Sequence, residues 1–398
     1  MFPFIMTDEI DRDLRRLEDL RARPDARGPL PRKWVGRMRR ELEAEAVAAS
    51  TSMEGVAVTV DEVRRILAGE KPREVSAEDA GLVRGYADAM RYVLLRADDP
   101  NFHWHPELFL AIHSRVLADS YVNEAGRFRS IQNRLTDRRT GRQVFVPPPP
   151  EVVPRLVADL AEWLEASAEV ATPVRAALAH VRLAAIHPFR DGNGRTARIL
   201  ASLVMYRGGF KAREFTSLEE WWGAHLADYY TAFDCLGEAW DPEADVTPFV
   251  AAHVRGQVTQ VEALSLRQAV EQGIWTVLQD IATEDLGADP RVANALYDAF
   301  FGREVTNRYY RELADVETVT ASHDLRRLLA SGLVVATGKG RSSAYRGSAE
   351  LGRRVAEAAG VADSRFFDAG ASLDRQREEI VLALGERMRG GLRDGPEL

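Results

Sequence analysis

Apolar residues recur along most of the chain at the spacing of one helix face, and alternating runs of the kind a half-buried strand needs are few. The pattern predicts helices over 36–54, closed by Gly55, over 78–97 and 105–118, over 154–166 behind four prolines at 147–150, and over 173–186. In the last of these, Thr172 at the cap and Pro173 in the first turn mark a helix start, and Val174, Leu178, Val181 and Ala185 form the expected buried stripe. An apolar helix follows to about Tyr206, and a long helical pattern runs from about 247 to 281. The exception is 128–146, where two extended runs flank Asp137-Arg138-Arg139-Thr140-Gly141, a turn-rich break that suits a hairpin. Its polar, Arg-rich composition gives it little to bury, so it reads as a projecting flap.

Beyond 285 the pattern changes. Helices over 309–314 and 321–331, Gly332, and short strands over 333–337 and 343–346 around Gly338-Lys339-Gly340 predict a winged helix. The expected organisation is an N-terminal segment 1–35, a helical core 36–255, a connecting helix 256–285, a winged helix 286–348 and a C-terminal helical tail 349–398, a mainly α chain. The last ten residues, with Gly390, Gly391 and Gly395, are expected to fray. The start, Met1 to Met6 followed by Asp8, Glu9 and Asp11, has neither the basic nor the apolar region of a secretion signal and reads as a short anchor or a disordered start.

At 398 residues the chain has room for two or three domains, and 45% apolar and 29% charged residues exclude a disordered or low-complexity protein. A net charge of −8 has the wrong sign for a chain whose main task is neutralising phosphates. One cysteine, Cys235, cannot form an internal disulfide, which suits a reducing compartment. No stretch approaches the ~18 consecutive apolar residues of a membrane span, so the expected location is the cytoplasm, without a membrane partner.

The chemistry is concentrated in His187-Pro188-Phe189-Arg190-Asp191-Gly192-Asn193-Gly194-Arg195-Thr196-Ala197-Arg198. The glycines let backbone N–H groups turn toward an anion, the next helix offers its positive end, and Arg195 and Arg198 lie three apart on one face. One carboxylate, Asp191, suits Mg²⁺, which fills its shell with waters and substrate phosphates. His187 stands where a neutral imidazole can take a proton from an attacking hydroxyl. The same letters match the looser dinucleotide fingerprint at Gly192, Gly194 and Ala197, but that motif needs a preceding strand and here a helix precedes it. The Gly338–Arg341 run lacks the glycine spacing of a P-loop.

This segment resembles the signature of the Fic family, H-x-F-x-[D/E]-G-N-G-R-x-x-R, and meets all eight specified positions within twelve residues. The resemblance extends over about 35–255. Gly126-Arg127-Phe128-Arg129 with Val146-Pro147-Pro148 looks like the family's flap, and Asp228-Tyr229-Tyr230 like a segment closing a nucleotide pocket; Arg134 stands where relatives carry an aromatic. The resemblance implies a Fic helical core with a β-hairpin flap, and a protein adenylyltransferase that moves AMP from ATP to a Ser, Thr or Tyr hydroxyl with Mg²⁺. In it, His187 would be the base and Asp191 the metal ligand. Gly192, Asn193 and Gly194, with Arg195 beside them, would form the anion hole; Arg198 would hold the γ-phosphate, Phe189 would fix the loop, and Tyr229 and Tyr230 would line the nucleotide. Gly194 argues against the related Doc-type kinases, which carry lysine there.

Upstream, Ser50-Thr51-Ser52-Met53-Glu54-Gly55 resembles the family's inhibitory motif [S/T]-x-x-x-E-[G/N] on an N-terminal helix, here 38–55. A carboxylate on the last turn of a helix opposes the macrodipole, and the resemblance supplies its reason: Glu54, in a motif opened by Ser50 and closed by Gly55, would pair with Arg198 and keep ATP from binding productively. The implied partners are ATP, a protein target docked along flap 128–146, the chain itself as a modification target, and a second copy in a homodimer. Two other readings stand beside transfer: removal of AMP by the same site, and a nucleotide-sensing winged-helix regulator that binds DNA.

For the winged helix, eight Lys plus Arg and five acids between Arg303 and Arg346 leave a local charge of +3, which predicts weak DNA binding at most, and Asp324 on the expected reading helix would repel phosphate. His180, seven residues before His187, reads as a histidine satisfied near the core, and His103 and His105 as parts of a packed loop. Trp221 and Trp222 read as core.

Overall fold

The computed structural model describes residues 2–22, 32–118, 124–136, 140–210, 218–338, 343–362 and 371–393. The chain is mainly α and divides into two compact units. One holds the N-terminal helix and the chain from Trp34 to Glu262, the other the chain from Ala263 onward.

The first unit contains α1 (Asp8–Ala22), α2 (Arg32–Met53), α3 (Val60–Leu67), α4 (Ala77–Ala97) and α5 (Pro106–Val116), then strands β1 (Leu135–Thr136) and β2 (Gln143–Phe145). After them come α6 (Val153–Ala166), α7 (Thr172–Ile186), α8 (Asn193–Arg207), α9 (Glu219–Ala224), α10 (Leu226–Ala232) and the start of α11 (Thr247–Asp280). Side-chain caps mark several starts: Thr59 and Glu62 close a reciprocal capping box on α3, and Ser76 accepts from the Asp79 amide on α4.

The centre is α7 packed against α8, with α6 on α7 and with α4 and α5 on α8. Buried residues run all round α7 from Pro173 to Ile186, not only along the expected stripe of Val174, Leu178, Val181 and Ala185. A helix buried on every side, here with Arg175, His180 and Arg182 among its apolar residues, belongs in the middle of a bundle, which is where α7 lies. Its cap also differs from the expectation: Ala171 is the cap residue, without a side-chain bond, and Thr172 is the first helical residue.

The expected disordered start is instead structured from Phe2. Phe2 packs on Trp240, the Ile5 amide donates to Thr247 Oγ1 at 2.8 Å, and α1 buries Ile10 and Leu17 completely. Arg255 on α11 then clamps Glu9 at 2.7 Å and Asp13 at 2.8 Å. Asp8, Glu9 and Asp11 in the first turn of α1, with Ile10, Leu14 and Leu17 behind them, are the sequence signs of this helix. The flap hairpin forms as β1 and β2, antiparallel and only two and three residues long; its expected turn residues 137–139 lie outside the described residues.

The second unit contains the rest of α11, α12 (Ala293–Phe300), β3 (Val305–Thr306), α13 (Asn307–Ala314), α14 (Thr318–Ala330), β4 (Val334–Thr337), β5 (Ala344–Gly347), α15 (Ala349–Ala358) and α16 (Leu373–Arg393). The strands form an antiparallel sheet in the order β3-β5-β4, so β3, absent from the sequence reading, supplies the third strand. Asp324 does not face outward as expected. It is buried, with Arg291 Nε at 2.9 Å and the Tyr310 hydroxyl at 3.0 Å, because one helix turn cannot tell which of its faces the neighbouring element covers. The expected fraying of the last ten residues is also corrected in part, since α16 runs through Gly390 and Gly391 to Arg393.

Gly85 tests the packing on which α4 and α5 depend. A Cβ there would lie 2.4 Å from the Arg115 carbonyl oxygen and 3.0 Å from the Ala118 nitrogen, both backbone atoms that cannot swing aside. Gly85→Ala should therefore destabilise the first unit by ~1–3 kcal/mol despite alanine's better helix propensity. The check is its melting temperature against that of wild type, and an unchanged or higher value would show that the two helices can separate freely.

Candidate active site

The site begins where α7 stops. His187 adopts the left-handed conformation, φ 50° and ψ 55°, while its amide still bonds to the Leu183 carbonyl at 3.0 Å. A non-glycine residue held there costs roughly 1–2 kcal/mol, which the surrounding contacts must offset. They reverse the chain sharply and set the imidazole at the helix end. Its Nδ1 lies 3.2 Å from the Ala184 carbonyl, an acceptor only, so Nδ1 carries the proton and Nε2 keeps its lone pair. Burial pushes the pKa of His187 down to about 4, so the ring is neutral at physiological pH.

Four side chains hold the loop between α7 and α8 by hydrogen bonds. Asn193 turns inward and bonds both backbone groups of Phe189, its Oδ1 accepting from the amide and its Nδ2 donating to the carbonyl, each at 2.9 Å. Phe189 is fully buried and stacks on His113 at 3.7 Å with the rings 4° from parallel. His113 Nδ1 accepts from the Gly126 amide at 3.0 Å, which leaves Nε2–H to donate to the Asp191 carbonyl at 3.0 Å; burial pushes this histidine down to about 4 as well. Arg129, 2% exposed, donates through Nε to the His187 carbonyl at 2.8 Å and through its other nitrogens to the carbonyls of Ile131 and Pro148. Its own amide bonds the Pro188 carbonyl at 2.9 Å. The flap base and the loop are thus one hydrogen-bonded piece, to which Asn133 adds a bond to the Phe189 carbonyl at 2.9 Å.

The next turn presents an anion site. Gly192 caps α8 at φ 75°, and a Cβ there would come within 3.2 Å of Leu117. The first amides of α8 are those a helix cannot pair internally, and they carry its positive end. Asp191 Oδ1 accepts from the Gly192 amide at 2.7 Å; its side chain is 53% exposed, with Arg195 at 3.4 Å. Arg195 itself is buried, and its Nε and Nη1 have no protein partner among the described residues.

Arg198 is the most elaborated group. Its Nε donates to Ser50 Oγ at 2.9 Å, its Nη2 to the Ser50 carbonyl at 3.2 Å and to Glu54 Oε1 at 2.8 Å, and its Nη1 to the Tyr229 hydroxyl at 3.2 Å. Glu54 is placed by the way α2 ends. The Val56 amide bonds the Thr51 carbonyl and the Gly55 amide the Ser52 carbonyl, a Schellman turn with Gly55 at φ 91°. Gly194 makes room for the carboxylate, since a Cβ there would sit 2.5 Å from Glu54 Oε1. An acidic oxygen of the chain itself therefore lies against the glycine of the anion site.

The structure brings together His187, Asp191, Gly192, Asn193, Gly194, Arg195, Arg198, Tyr229, Ser50, Glu54 and Gly55. The Asn193 side chain clamps the loop, so it is the backbone of this residue that is left for an anion. Tyr230 is 56% exposed, its ring 5.5 Å from that of Tyr229. His113 and the carbonyl-gathering part of Arg129 escaped the sequence reading; their only trace was proximity to the flap motif. His180 is buried beside Tyr229, Trp222 is buried in the core, and His103 pairs with Glu165 at 3.1 Å.

A helical core that offers a neutral histidine, a glycine-lined anion site and two arginines on one helix turn is a phosphate-handling module. Residues 103–205 match the model of the Fic/DOC family, so this part of the chain is a Fic domain. The chain is 32% identical over 210 residues to "Protein adenylyltransferase Fic" of Nematostella vectensis, a match covering 52% of this chain and 45% of that protein. It is 35% identical over 184 residues to "Protein adenylyltransferase fic-1" of Caenorhabditis elegans, 44% of this chain and 34% of that one. The chain thus spans less than half the length of these curated relatives. Among solved structures, a Fic family protein from Desulfovibrio desulfuricans G20 superposes with a TM-score of 0.58 at 22% identity, covering 87% of this chain and 98% of that one, a likeness of fold. Fic-1 from C. elegans superposes with a TM-score of 0.53 at 27% identity, covering 64% and 71%.

The buried imidazoles set a pH dependence. His187 and His113 titrate near 4 and His253 near 3 when folded, but near 6.5 in the unfolded chain, so between these values the unfolded state binds more protons. Their stabilising contribution is complete above pH 6.5 and is lost as pH falls toward 4. The melting temperature should drop from pH 7 to pH 5, and His113→Gln should make that drop shallower; a midpoint that rises on acidification would contradict the burial of these rings.

Proposed function

We propose that the chain is a protein adenylyltransferase, held off at rest by Glu54. The observation that carries this reading is the lone pair of His187 Nε2 beside an anion site whose outer arginine, Arg198, is occupied by a carboxylate 2.8 Å away. In the proposed reaction a Ser, Thr or Tyr hydroxyl of a target gives its proton to His187 Nε2 while its oxygen forms a bond to the α-phosphorus of ATP. The bond from that phosphorus to the bridging oxygen breaks, and pyrophosphate leaves. Backbone amides of Gly192, Asn193 and Gly194 bind phosphate oxygens, with Arg195, whose two unpartnered nitrogens await an acceptor, behind them. Arg198 takes the γ-phosphate. The names of the relatives, which specify adenylyltransferases, support the same class.

Asp191 fits magnesium of the kind completed by substrate. Its carboxylate is half exposed, and among the described residues no group of three or more His, Cys, Asp or Glu side chains surrounds it or any other point. That is a donor set for an ion that draws its remaining ligands from phosphates and water. Bound there, Mg²⁺ would neutralise phosphate charge.

The flap is read as the docking edge for an extended target segment, with Ile131 and Val144 exposed along it. Residues 286–348 are read as a winged helix that serves association, as in a homodimer, or target docking. Tight DNA binding is not expected, since Arg308 and Arg346 are already paired with Glu312 and Glu304. No helix among the described residues is long and apolar enough to cross a membrane.

The competition for Arg198 makes the reading testable. Glu54→Gly should raise transfer of labelled AMP from ATP, to the chain itself and to targets in a lysate, well above wild type. The same change should increase the thermal stabilisation conferred by Mg-ATP. Adding His187→Ala should lower transfer by ~10²–10⁴ while leaving that stabilisation in place. Arg198→Ala should not activate, because it loses the phosphate contact together with the carboxylate. Equal transfer by Glu54→Gly and wild type would remove Glu54 as the brake, and unchanged transfer in the double variant would remove His187 as the base. For the second unit, the full chain should show only weak, salt-sensitive retention on duplex DNA, and tight sequence-specific binding at physiological salt would overturn its assignment.

A further inference from the structure

Beside Arg198 lies a cavity of about 10 Å³ whose wall includes His180, Arg198, Glu219, Trp222, His253 and Gln257. Four of these bury polar atoms that have no protein partner among the described residues: His180 Nδ1, Trp222 Nε1, both ring nitrogens of His253, and Gln257 Oε1. His180 and His253 are each 1% exposed, Trp222 is fully buried and Gln257 is 5% exposed. Each such atom left without a partner costs ~1–3 kcal/mol, and because the two nitrogens of an imidazole point apart, one partner in the cavity can serve four of the five, with a single nitrogen of His253.

The hydrogen-bond directions around the cavity are constrained. Tyr229 accepts from Arg198 Nη1 through its hydroxyl oxygen at 3.2 Å, and the hydroxyl proton is then directed to His180 Nε2 at 3.3 Å. With Nε2 accepting, His180 must carry its proton on Nδ1, which faces the cavity as a donor. Trp222 Nε1 is a donor only, His253 is neutral by burial and offers one donor and one acceptor, and Gln257 Oε1 is an acceptor. The cavity wall therefore offers two donors, His180 Nδ1–H and Trp222 Nε1–H, and two acceptors, Gln257 Oε1 and the unprotonated nitrogen of His253, whose other nitrogen points away on the far side of the ring. Water, which accepts two hydrogen bonds and donates two, matches that set, and about 10 Å³ is the space that one water needs.

We propose that this cavity holds one structural water, and that His180, fixed as its Nδ1–H form between the water and Tyr229, is a positioning residue for Arg198. The water bonds His180, His180 orients the Tyr229 hydroxyl with its oxygen toward Arg198, and the guanidinium is held in the plane that meets Glu54 or a phosphate. Only the second half of this inference, the effect on nucleotide, rests on the proposed function.

Two measurements on the full-length chain decide it. The ¹⁵N shifts of the histidine rings, recorded without nucleotide, should show His180 protonated at Nδ1 with Nε2 as an acceptor; protonation at Nε2 would overturn the proposal. In the Glu54→Gly background, His180→Leu should weaken Mg-ATP binding about tenfold by calorimetry, the loss of about one well-placed hydrogen bond. His180→Gln, which can accept from Tyr229 and donate into the cavity, should stay within about threefold. Equal affinity for the leucine variant and its parent would overturn the positioning role, as would a glutamine variant no better than leucine. Should His180→Leu fail to fold, the glutamine variant and the ring shifts still decide. If the Glu54→Gly parent binds no nucleotide, it is the proposed function that fails, and the tautomer stands or falls by itself.

Discussion

One buried guanidinium organises this molecule. Arg198 lies 3% exposed, and a charge in that position must have partners on every side because the solvent that would stabilise it has been removed. The fold provides them from two other helices: the Ser50 hydroxyl, the Ser50 carbonyl and Glu54 from the end of α2, and Tyr229 from α10. Three of these contacts are neutral oxygens and one is a carboxylate. The neutral ones fix where the arginine points, and the charged one fills the single direction left open toward the anion site. In the proposed reading, catalysis and restraint are therefore two occupancies of the same position.

The loop that faces this arginine is rigid for a different reason. Between α7 and α8 the backbone reverses through a left-handed histidine, and such a turn exposes carbonyls that no helix or strand can pair. Arg129 takes that of His187 and joins it to the flap carbonyls of Ile131 and Pro148, His113 takes that of Asp191, and Asn193 and Asn133 converge on that of Phe189. The neutral state of the two histidines follows from the same burial. A neutral imidazole stands at the end of α7 at physiological pH because its ring is shielded, and its lone pair is on the nitrogen that the Ala184 carbonyl does not claim.

Much of the site could be read from the sequence because its chemistry is contiguous: twelve residues carry the base, the carboxylate, the glycines and both arginines. Glu54 could be read only through the resemblance, since nothing local says what a carboxylate at a helix end will meet 144 residues later. His113 and the carbonyl contacts of Arg129 were invisible for the same reason, their partners being 78 and 58 residues away. In the fold, long helices with one apolar face were legible, and the stripe expected on α7 is buried, but the burial of its other faces, which carry Arg175, His180 and Arg182, has no periodic signal. The helix α1 follows an apolar hexapeptide directly, and its Ile10–Leu14–Leu17 spacing covers too few turns to stand out from it. Asp324 shows the remaining difficulty: a charged residue on a short helix looks solvent-facing until the arginine and tyrosine that bury it are known.

Gly194 is where the two occupants of the anion site are inseparable. A side chain there would collide with the Glu54 carboxylate and stand 3.1 Å from Arg198 Nη1, so any residue large enough to repel the one also narrows the place of the other. Glu54 has no such double allegiance; it reaches the site from another helix. On the proposed reading, restraint would be lost in a single step from the α2 side without harm to the pocket, but could not be tuned from the pocket side without altering the pocket. A lineage that adjusts how firmly such a site is held would then work from α2, outside the loop between α7 and α8.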